Sequence, residues 1–555
     1  MTYQETYQFW CESDYFDEKT REELLALRGN EAEIEDRFYR ELAFGTGGLR
    51  GIIGAGTNRM NIYTVRKATQ GLANYIIRQG GQSRGVAIAY DSRRMSEEFS
   101  EEAALCLNAN GIRTYRFDSL RPTPELSFTV RELGCIAGIV ITASHNPAEY
   151  NGYKVYWEDG AQITAPKDRE IIEEVYQVTG YDQVKTMSRQ EAESLGLYQV
   201  IGEELDRRYL DELKKLVLHP EVIREMADQI RIVYTPLHGT GRVPVKTILQ
   251  ELGFTRVSVV PEQEMPDGNF PTVSYPNPED KNAFKLALKL AEQTDADLVL
   301  ATDPDADRLG VYGKDSQTGE YHAFTGNMSG ILICEYLLSQ RKAMGRLPDN
   351  GAVVKTIVTT DMADALAAEY GVEVVEVLTG FKYIGEQIKW FEESGAHTYL
   401  FGFEESYGCL TGTYARDKDA VGAVAALCEA AAYYKKQGLT LWDQMQRLYA
   451  KYGHYEETLN TVTLKGIDGA AQMRRQMEEM RSNPPKEMEG LKVRKVRDYL
   501  TGTTWDLETG ERGTLTLPKS DVLYFELEQH GWCCVRPSGT EPKIKYYTGK
   551  LQTRL

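Results

Sequence analysis

The stretch NAFKLALKLAEQTDADLVLATDPDADR, residues 282–308, predicts the fold of this chain. Residues 282–294 have the apolar spacing of an amphipathic helix, and residues 297–302 form a short, nearly continuous apolar run. A helix followed by such a strand is typical of α/β units whose sheets are covered on both faces. The polar segment DPDADR, 303–308, follows the strand directly, at the position where open α/β sheets bind ligands.

The same alternation of strand and helix recurs along most of the chain. Helical patterns such as residues 96–111 separate the apolar runs, which indicates an α/β fold with largely parallel or mixed sheets. The other runs predicted to be strands are residues 85–90, 136–142, 229–235, 256–261, 352–358 and 372–378. The last hundred or so residues contain a helical pattern at 468–482 among several strand-like runs, which predicts a smaller α+β unit.

The length of 555 residues predicts three to four domains, since a domain averages about 150 residues. We place the boundaries near residues 205, 320 and 448. The predicted domains are 1–205 (a helical leader and an α/β unit), 206–320 (α/β), 321–448 (α/β) and 449–555 (α+β).

The composition excludes several classes of partner. With 64 basic and 83 acidic side chains the net charge is −19, which argues against nucleic acid and against anionic membrane surfaces. The eight cysteines are scattered without a CxxC pair, as expected for reduced thiols. The acidic N-terminus does not resemble a signal peptide, and no apolar run reaches the length of a membrane span. We therefore expect a soluble cytoplasmic protein, and the acidic charge leaves room for a small anionic substrate in a local basic pocket. The oligomeric state stays open, a monomer being one option.

The acidic segment 303–308 is a candidate metal site. Asp303, Asp305 and Asp307 alternate along it, and three such carboxylates repel one another unless a cation compensates them. Oxygen ligands favour a hard ion such as Mg²⁺. An EF-hand is excluded because Arg308 and Lys314 occupy the positions of its glycine and glutamate. A solvated acidic turn is the alternative.

The segment TASHNP, residues 142–147, is a candidate phosphoryl carrier. Ser144 follows an apolar strand and precedes His145, a possible proton carrier. The glycines of a hydrolase elbow are missing. Lys154 is close in sequence, and in a cleft its pKa could fall so that it moves protons. For both His145 and Lys154, an ordinary loop or surface role is the alternative.

Two further segments carry groups that suit a phosphosugar. In RPSGTEPK, residues 536–543, a basic residue at each end brackets hydroxyls and a glycine, which favours phosphate binding without being a Walker A loop. In GFEESYG, residues 402–408, two glutamates and a serine offer partners for sugar hydroxyls. FGTGGLRG, residues 44–51, is not a dinucleotide motif, because Arg50 replaces its last glycine. A loop that presents Arg50 to an anion is one interpretation, and a plain turn is the alternative.

The set and order of these segments resemble the α-D-phosphohexomutase superfamily. The likeness runs from roughly residue 44 to 549 and includes TPLHGTGR, 235–242, and PDGNFPTVSYPNPED, 266–280. The helical leader, the chain length and the residues of GFEESYG and ARDKDA (415–420) are most similar to the longer phosphoglucomutase branch, which also contains phosphopentomutases. The resemblance implies three related α/β domains and a smaller C-terminal domain around a central cleft.

The resemblance also implies the reaction and the residues that perform it. α-D-glucose 1-phosphate and glucose 6-phosphate would interconvert through a phosphoserine at Ser144 and a glucose 1,6-bisphosphate intermediate, which also acts as activator. One Mg²⁺ would lie on Asp303, Asp305, Asp307 and an oxygen of Ser144. The groups implied around the reacting phosphoryl are Arg50, Arg308, His145 and Lys154. Those implied to bind the sugar and the distant phosphate are Lys382, Glu404, Ser406, Lys418, Arg536, Ser538, Gly539, Thr540 and Lys543.

Alternatives remain at the level of substrate and of reaction. Phe381 stands where related short enzymes tend to have Trp, and Ala420 stands where Gly is common, so phosphomannomutase and phosphopentomutase activities are rivals. A glucosamine-phosphate mutase fits the sugar loop less well. A phosphohydrolase with an aspartyl nucleophile is a weaker alternative, because Asp307 departs from its motif. A non-catalytic role is disfavoured, because each catalytic position that can be matched is filled.

Overall fold

The computed structural model describes residues 1–45, 47–464, 468–538 and 543–552. Within these residues four sheets follow one another along the chain. The first three mix parallel and antiparallel pairing, and the fourth is antiparallel. The predicted fold class, three mixed α/β units and a smaller C-terminal unit, is confirmed. In the described ranges, none of the helices has the length and apolarity needed to cross a membrane.

The first unit is a six-stranded sheet preceded by three leader helices. Its strands are β1 (Gly48–Ile52), β2 (Val86–Tyr90), β3 (Thr114–Phe117), β4 (Ala137–Ile141), β5 (Tyr150–Trp157) and β6 (Tyr198–Ile201). Its helices are α1 (Tyr3–Glu12), α2 (Glu18–Leu25), α3 (Glu31–Phe38), α4 (Ile62–Arg78), α5 (Ser96–Ala109), α6 (Thr123–Glu132), α7 (Lys167–Gln177), α8 (Arg189–Ser194) and α9 (Glu203–Lys215). The strand order is β1-β5-β4-β2-β3-β6, and the central strands β4 and β2 are buried throughout.

The leader is anchored by aromatic packing. Trp10 of α1 is fully buried and stacks on Phe16 with ring centroids 4.1 Å apart. Tyr63 of α4 contacts both rings edge-on. The leader is therefore part of the first unit.

The second unit is built on a five-stranded sheet. Its elements are α10 (Pro220–Met226), β7 (Ile232–Thr235), α11 (Arg242–Leu252), β8 (Val257–Val259), α12 (Pro261–Glu264), α13 (Lys285–Thr294), β9 (Leu298–Thr302), β10 (Leu309–Lys314) and β11 (Tyr321–Phe324). The order is β11-β10-β9-β7-β8. The helix and strand predicted from residues 282–302 are present as α13 and β9, although a short 3₁₀ turn replaces the first residues of the helix.

The third unit has a four-stranded sheet in the order β13-β12-β14-β15. Its elements are α14 (Gly326–Ala343), β12 (Gly351–Thr356), α15 (Met362–Tyr370), β13 (Glu373–Val377), α16 (Phe381–Ser394), β14 (Thr398–Glu404), β15 (Gly408–Leu410), α17 (Ala420–Lys435) and α18 (Leu441–Tyr452). Strand β12 is buried on both faces, as its β-branched run predicts.

The fourth unit is an antiparallel sheet with one long helix. Its elements are β16 (His454–Thr463), α19 (Gly469–Ser482), β17 (Glu487–Met488), β18 (Leu491–Asp498), β19 (Thr503–Asp506), β20 (Arg512–Thr514), β21 (Leu523–Leu527), β22 (Trp532–Pro537) and β23 (Lys543–Gln552). The order is β16-β23-β22-β21-β18-β19-β20, with β17 beside β18.

The cores of the units are connected differently. One apolar cluster joins the first three units, since it contains Tyr156, Leu300 and Phe403. The fourth unit has its own cluster, which includes Phe525. It meets the third unit through a smaller cluster that contains Trp532.

Backbone hydrogen bonds bring the predicted loops of the first three units together. The N–H of Thr123 donates to the carbonyl of Asp305 at 2.9 Å. Leu309 N–H donates to Tyr407 O at 2.9 Å, and Ala420 N–H donates to Ala306 O at 3.1 Å. The domain boundaries stay predictions. Strand β11 follows the predicted boundary at residue 320 but pairs with β10, so it belongs to the sheet of the second unit.

Candidate active site

Ser144 lies just beyond β4 in a constrained loop. Its φ of 51° is in the left-handed region, which a residue with a Cβ adopts uncommonly. The Ser144 N–H donates to Thr142 Oγ1 at 2.8 Å. The buried Ser144 hydroxyl donates to Asp303 Oδ2 at 2.9 Å. The loop therefore aims the serine oxygen of the first unit at the acidic segment of the second.

Arg93 fixes the loop that carries Ser144 through hydrogen bonds to its backbone. Its guanidinium donates to the backbone carbonyls of Ser144 at 2.6 Å and Asn146 at 2.5 Å. It also reaches the carbonyls of Pro147 at 2.8 Å and Tyr150 at 3.1 Å. Its side chain is fully buried. The sequence analysis missed Arg93, although it follows the buried strand β2 just as Ser144 follows β4.

Asp303, Asp305 and Asp307 form one compact acidic cluster. An oxygen of each lies within 4.8 Å of the others, and all three residues are buried. Burial together with Asp305 and Asp307 raises the pKa of Asp303 well above its ordinary value. The Oδ1 atoms of Asp305 and Asp307 are buried and lack a hydrogen-bond partner among the described residues. Two unsatisfied carboxylate oxygens beside a third carboxylate fit a hard divalent cation such as Mg²⁺.

Asp305 is held by two groups of the first unit. Thr123 Oγ1 donates to Asp305 Oδ2 at 2.7 Å, and Lys154 Nζ lies 3.0 Å from the same oxygen. Burial lowers the pKa of Lys154, but Asp305 and Asp307 outweigh burial, so the pKa lies above its ordinary value. The expected fall in the pKa of Lys154 is therefore wrong here, because this ammonium is paired with carboxylates.

Lys418 lies on the other side of the cluster. Its Nζ is 3.3 Å from Asp307 Oδ2 and 3.2 Å from Asp417 Oδ1. Asp417 in turn accepts a hydrogen bond of 2.6 Å from the Tyr156 hydroxyl. The Lys418 ammonium also lies over the ring of Phe381, 5.5 Å from its centroid. The unusual Phe381 thus supports a cation of the cleft.

His145 contacts the serine directly. Its Nδ1 is 3.2 Å from Ser144 Oγ. Burial and the charges of Arg308 and Arg50 lower the pKa of His145 to about 2. The imidazole is therefore neutral, and with a pKa so far below neutral pH it is a weak base in this state.

Two arginines flank the serine and the acidic cluster. Arg50 of β1 donates to Asn146 Oδ1 at 3.1 Å, so it reaches the loop that carries Ser144. Arg308 pairs with Glu279 Oε1 at 2.9 Å, and its buried Nε lacks a hydrogen-bond partner among the described residues. Both cations are placed where an anion on Ser144 would meet them.

The glutamates at the end of β14 point in different directions. Buried Glu404 accepts a hydrogen bond from Gly380 N–H at 3.1 Å, and Ser406 Oγ lies 3.5 Å from its Oε2. Burial raises the pKa of Glu404 despite the nearby Lys418 and Arg308. Glu405 instead accepts hydrogen bonds from two threonines beside β12. Glu404 and Ser406 thus lie together, whereas Glu405 is bonded to the threonines.

A second group of cations lies where the third and fourth units meet. Burial and the charge of Arg536 lower the pKa of Lys382, which opens α16. Burial and the charges of Arg536 and Arg308 also lower the pKa of Lys545. Lys545 is opposite Arg536 in the β22–β23 register. The sequence analysis missed it, although it alternates with Lys543 along a strand and so shares its face.

The segment 536–543 is described at its two ends. The Ser538 N–H donates to the Lys543 carbonyl at 2.8 Å, which joins β22 to β23. Gly539 and Thr540, both predicted to bind phosphate, lie outside the described residues.

Known protein families match most of this chain. Models of the phosphoglucomutase/phosphomannomutase α/β/α domains I, II and III match residues 41–182, 207–317 and 325–452. The phosphoglucomutase of Staphylococcus aureus strain USA300 is 38% identical over 523 residues, which cover 93% of this chain and 91% of that protein.

Solved structures share the fold. The open form of parafusin, a phosphoglucomutase from Paramecium, superposes with a TM-score of 0.69 at 19% identity, covering 93% of this chain and 91% of that one. An N-acetylphosphoglucosamine mutase of Aspergillus fumigatus in complex with glucose 1,6-bisphosphate gives a TM-score of 0.51 at 12% identity, covering 92% of each chain. The chain belongs to the phosphoglucomutase/phosphomannomutase family of the α-D-phosphohexomutase superfamily, in its phosphoglucomutase branch.

Proposed function

We propose that this phosphohexomutase, an enzyme of the isomerase class, interconverts α-D-glucose 1-phosphate and glucose 6-phosphate. One observation carries the proposal: the Ser144 hydroxyl, in a strained loop, lies 2.9 Å from a carboxylate of a buried acidic cluster in the adjacent unit. A nucleophile beside such a cluster suits phosphoryl transfer, which depends on positioning and charge neutralisation. The glucose preference follows the name of the Staphylococcus aureus relative.

The acidic cluster fits one Mg²⁺. Asp303, Asp305 and Asp307 would hold it together with an oxygen of phosphorylated Ser144. The unsatisfied Oδ1 atoms of Asp305 and Asp307 are the observation that supports this assignment. When bound, the ion would neutralise charge on the transferring phosphoryl group.

The residues around Ser144 have distinct tasks in each half-reaction. A sugar hydroxyl oxygen attacks the phosphorus, the bond from phosphorus to Ser144 Oγ breaks, and a base takes the hydroxyl proton. His145, 3.2 Å from Ser144 Oγ, is the first candidate for that base, because phosphorylation of Ser144 would offset the charges of Arg50 and Arg308 and so raise the pKa of His145. Lys154, paired with Asp305, is the second candidate and would act as the acid that gives a proton to the departing Ser144 oxygen. Arg50 and Arg308 would compensate the charge of the phosphoryl oxygens.

The opposite end of the cleft would hold the rest of the substrate. Glu404, Ser406 and Lys418 are the candidates for the sugar hydroxyls. The candidates for the distant phosphate are Lys382, Arg536, Ser538, Gly539, Thr540 and Lys543. Glucose 1,6-bisphosphate would turn over within the cleft and return its other phosphoryl group to Ser144. The free bisphosphate would act as activator, because it restores phosphoserine whenever the intermediate escapes.

The phosphohydrolase alternative is disfavoured by the contacts of Asp303. Its Oδ2 accepts from Ser144, and its Oδ1 accepts the N–H groups of Asp307 at 3.2 Å and Arg308 at 3.1 Å. Hydrogen bonds on both oxygens stabilise the negative charge of Asp303 and make this carboxylate a weaker nucleophile.

The test is a substrate series with Mg²⁺ and a trace of glucose 1,6-bisphosphate. We expect kcat/KM to be highest for glucose 1-phosphate, followed by mannose 1-phosphate and then ribose 1-phosphate. Ser144→Ala is the control for background isomerisation. Release of inorganic phosphate without isomerisation would refute the mutase assignment, whereas a different ranking would reassign the substrate only.

A further inference from the structure

The start of the segment PDGNFPTVSYPNPED, residues 266–272, lies against the turn that carries Arg93. The turn belongs to the first unit, whereas the 266–272 loop follows α12 of the second unit. A Cβ on Gly268 would lie 2.6 Å from Arg94 N and 2.9 Å from Ser92 O. The φ of Gly268 is outside the left-handed region, so it is the close approach of two backbones that requires a glycine here.

Phe270 extends this contact to the side chain of Arg93. The guanidinium carbon lies 5.0 Å from the centroid of the Phe270 ring, which is within the range of a cation–π contact. Phe270 is 2% exposed, yet it belongs to none of the apolar clusters that the described residues form. Its contact with Arg93, and not packing in an apolar core, therefore accounts for its position.

The 266–272 loop is held within its own unit. The ring of His238 bridges its two ends, since Nδ1 lies 3.2 Å from the Met265 carbonyl oxygen and Nε2 lies 2.9 Å from Thr272 Oγ1. The Asp267 N–H donates to the His238 carbonyl at 3.2 Å. Phe270 has a φ of 45°, a conformation that a bulky residue keeps only where its surroundings impose it. The loop therefore presents Phe270 in a fixed orientation.

The loop that carries Ser144 is tied to the same turn of the first unit. Asp91 Oδ1 accepts the Arg93 N–H at 2.9 Å, and Asp91 Oδ2 accepts the Thr142 hydroxyl at 2.6 Å. Thr142 Oγ1 in turn accepts the Ser144 N–H at 2.8 Å. Together with the four carbonyls that the Arg93 guanidinium reaches, these bonds make the position of Ser144 depend on that of Arg93.

The residues next to His238 also contact the acidic segment. A Cβ on Gly239 would lie 2.5 Å from Pro304 Cα, and the Thr240 N–H donates to the Pro304 carbonyl at 2.8 Å. Residues 238–240 thus hold the 266–272 loop on one side and the acidic segment on the other. Contact of this loop with Arg93 therefore sets where the serine stands relative to the carboxylates.

We propose that residues 266–272 are a positioning loop by which the second unit places the nucleophile of the first. Gly268 and Phe270 fix Arg93, and Arg93 fixes Ser144 opposite the acidic cluster. Both are positioning residues, because they act through Arg93. This inference rests on the proposed function of Ser144 and adds to it a contact between units that aligns the serine.

The test measures how fast glucose 1,6-bisphosphate phosphorylates Ser144 in a single turnover of the full chain with Mg²⁺, read by quenching and intact-mass spectrometry. Phe270→Leu keeps an apolar side chain and removes the ring face. Gly268→Ala adds the Cβ that meets the backbone of the Arg93 turn. Tyr275→Leu is the matched control, because Tyr275 is an aromatic residue of the same segment that is 53% exposed. Thermal melting of each variant checks that it folds.

We expect Phe270→Leu and Gly268→Ala each to phosphorylate about tenfold more slowly than the wild type, with an unchanged half-saturating concentration of bisphosphate. Tyr275→Leu should keep the wild-type rate. Because Phe270 acts through Arg93, adding Phe270→Leu to Arg93→Met should cause no further loss, whereas independent effects would multiply.

Wild-type rates in Phe270→Leu and Gly268→Ala would overturn the positioning role. A double variant that is slower than Arg93→Met by the full effect of Phe270→Leu would overturn it as well, since Phe270 would then act independently of Arg93. A wild type whose Ser144 accepts no phosphoryl group would contradict the proposed function itself and this inference with it. The two failures are therefore distinguished by the wild-type measurement.

Discussion

The two ends of the cleft differ in how their charges are balanced. Around Ser144 the charged groups are paired: Lys154 with Asp305 at 3.0 Å and Lys418 with Asp307 at 3.3 Å. At the far end Lys382 and Lys545 lie near Arg536, and the pKa values of both lysines are lowered by burial and by that like charge. The reacting end, around Ser144, is thus organised by ion pairs before substrate arrives. At the holding end, around Arg536, burial and the nearby like charge disfavour the charged lysines even though Asp168 and Glu386 oppose this effect at Lys382, and a bound phosphate would favour the charged form.

The packing of the units also differs between the two ends of the cleft. Ser144 and the acidic cluster belong to units that share one apolar core. Arg536 belongs to the fourth unit, which meets the third through a smaller cluster and an ion pair between Arg497 and Glu376 at 2.9 Å. A fixed reacting end and a separately packed holding end suit an intermediate that must be retained and also turned. Variants at the two ends should therefore have different kinetic signatures.

The largest effect is expected at Ser144. Replacing it with alanine removes the proposed nucleophile, and kcat should fall by at least about 10⁴-fold. Intact-mass spectrometry of the wild type incubated with glucose 1,6-bisphosphate should detect one phosphoryl adduct, which the variant lacks. Substantial turnover by Ser144→Ala would remove the phosphoserine from the mechanism.

Arg93→Met tests whether the Arg93 guanidinium positions the loop that carries Ser144. Losing the guanidinium frees four carbonyls of the loop, and a displaced nucleophile should lower kcat by about 10²-fold with little change in KM. The matched control is Arg94→Met, because Arg94 is exposed and donates to one carbonyl, that of Ala148. Equal kcat values for the two variants would show that Arg93 does not position the serine.

Thr123→Val tests the support of Asp305 across the interface between units. Without the 2.7 Å hydrogen bond, the carboxylate is less fixed, and the affinity for Mg²⁺ should fall about tenfold. Calorimetric titration of the chelator-treated protein with Mg²⁺ measures this affinity. Thr129→Val, on the same helix with its hydroxyl donating to the Glu125 carbonyl, should leave the affinity unchanged. An unchanged affinity in Thr123→Val would assign Thr123 a purely structural role.

Much of the reacting end could be predicted from the sequence, because its groups follow buried strands within short segments. Ser144, Asp303 and Glu404 each lie at or just beyond the carboxyl end of a strand, and apolar runs reveal those strands. The contacts between segments could not be predicted, since Thr123 and Asp305 are 182 residues apart. The upward shift in the pKa of Lys154 could not be predicted for the same reason, because it depends on carboxylates from another unit.

The holding end should respond through KM. Lys382→Met and Arg536→Met each remove one cation from the proposed phosphate site, and KM for glucose 1-phosphate should rise about tenfold while kcat changes less. Lys389→Met is the control on the same helix, since the Lys389 side chain is 39% exposed and faces Glu393. A fall in kcat with constant KM would place these cations at the reacting end and remove the contrast between the two ends.

The smallest effect concerns Glu405, the glutamate that accepts hydrogen bonds from Thr356 and Thr359. Burial and Glu404 raise its pKa from the ordinary 4.5 to about 7. The folded chain therefore holds this proton more tightly than the unfolded chain. The neutral carboxyl contributes its full stability below pH 4.5, and this stability is lost as the pH rises through 7. Glu405→Gln keeps an oxygen acceptor for Thr356 and Thr359 but cannot ionise. By calorimetry its Tm should exceed that of the wild type by roughly 2 °C at pH 8, and the difference should vanish at pH 4.

Glu369→Gln in α15 has the opposite sign, because hydrogen bonds from Lys451 and Tyr452 lower the pKa of Glu369, so its loss should lower Tm at pH 8. If Glu405→Gln instead destabilises the chain at pH 8, the ionised carboxylate is stabilised by its threonines, and the third unit tolerates a buried negative charge as well as the reacting end does.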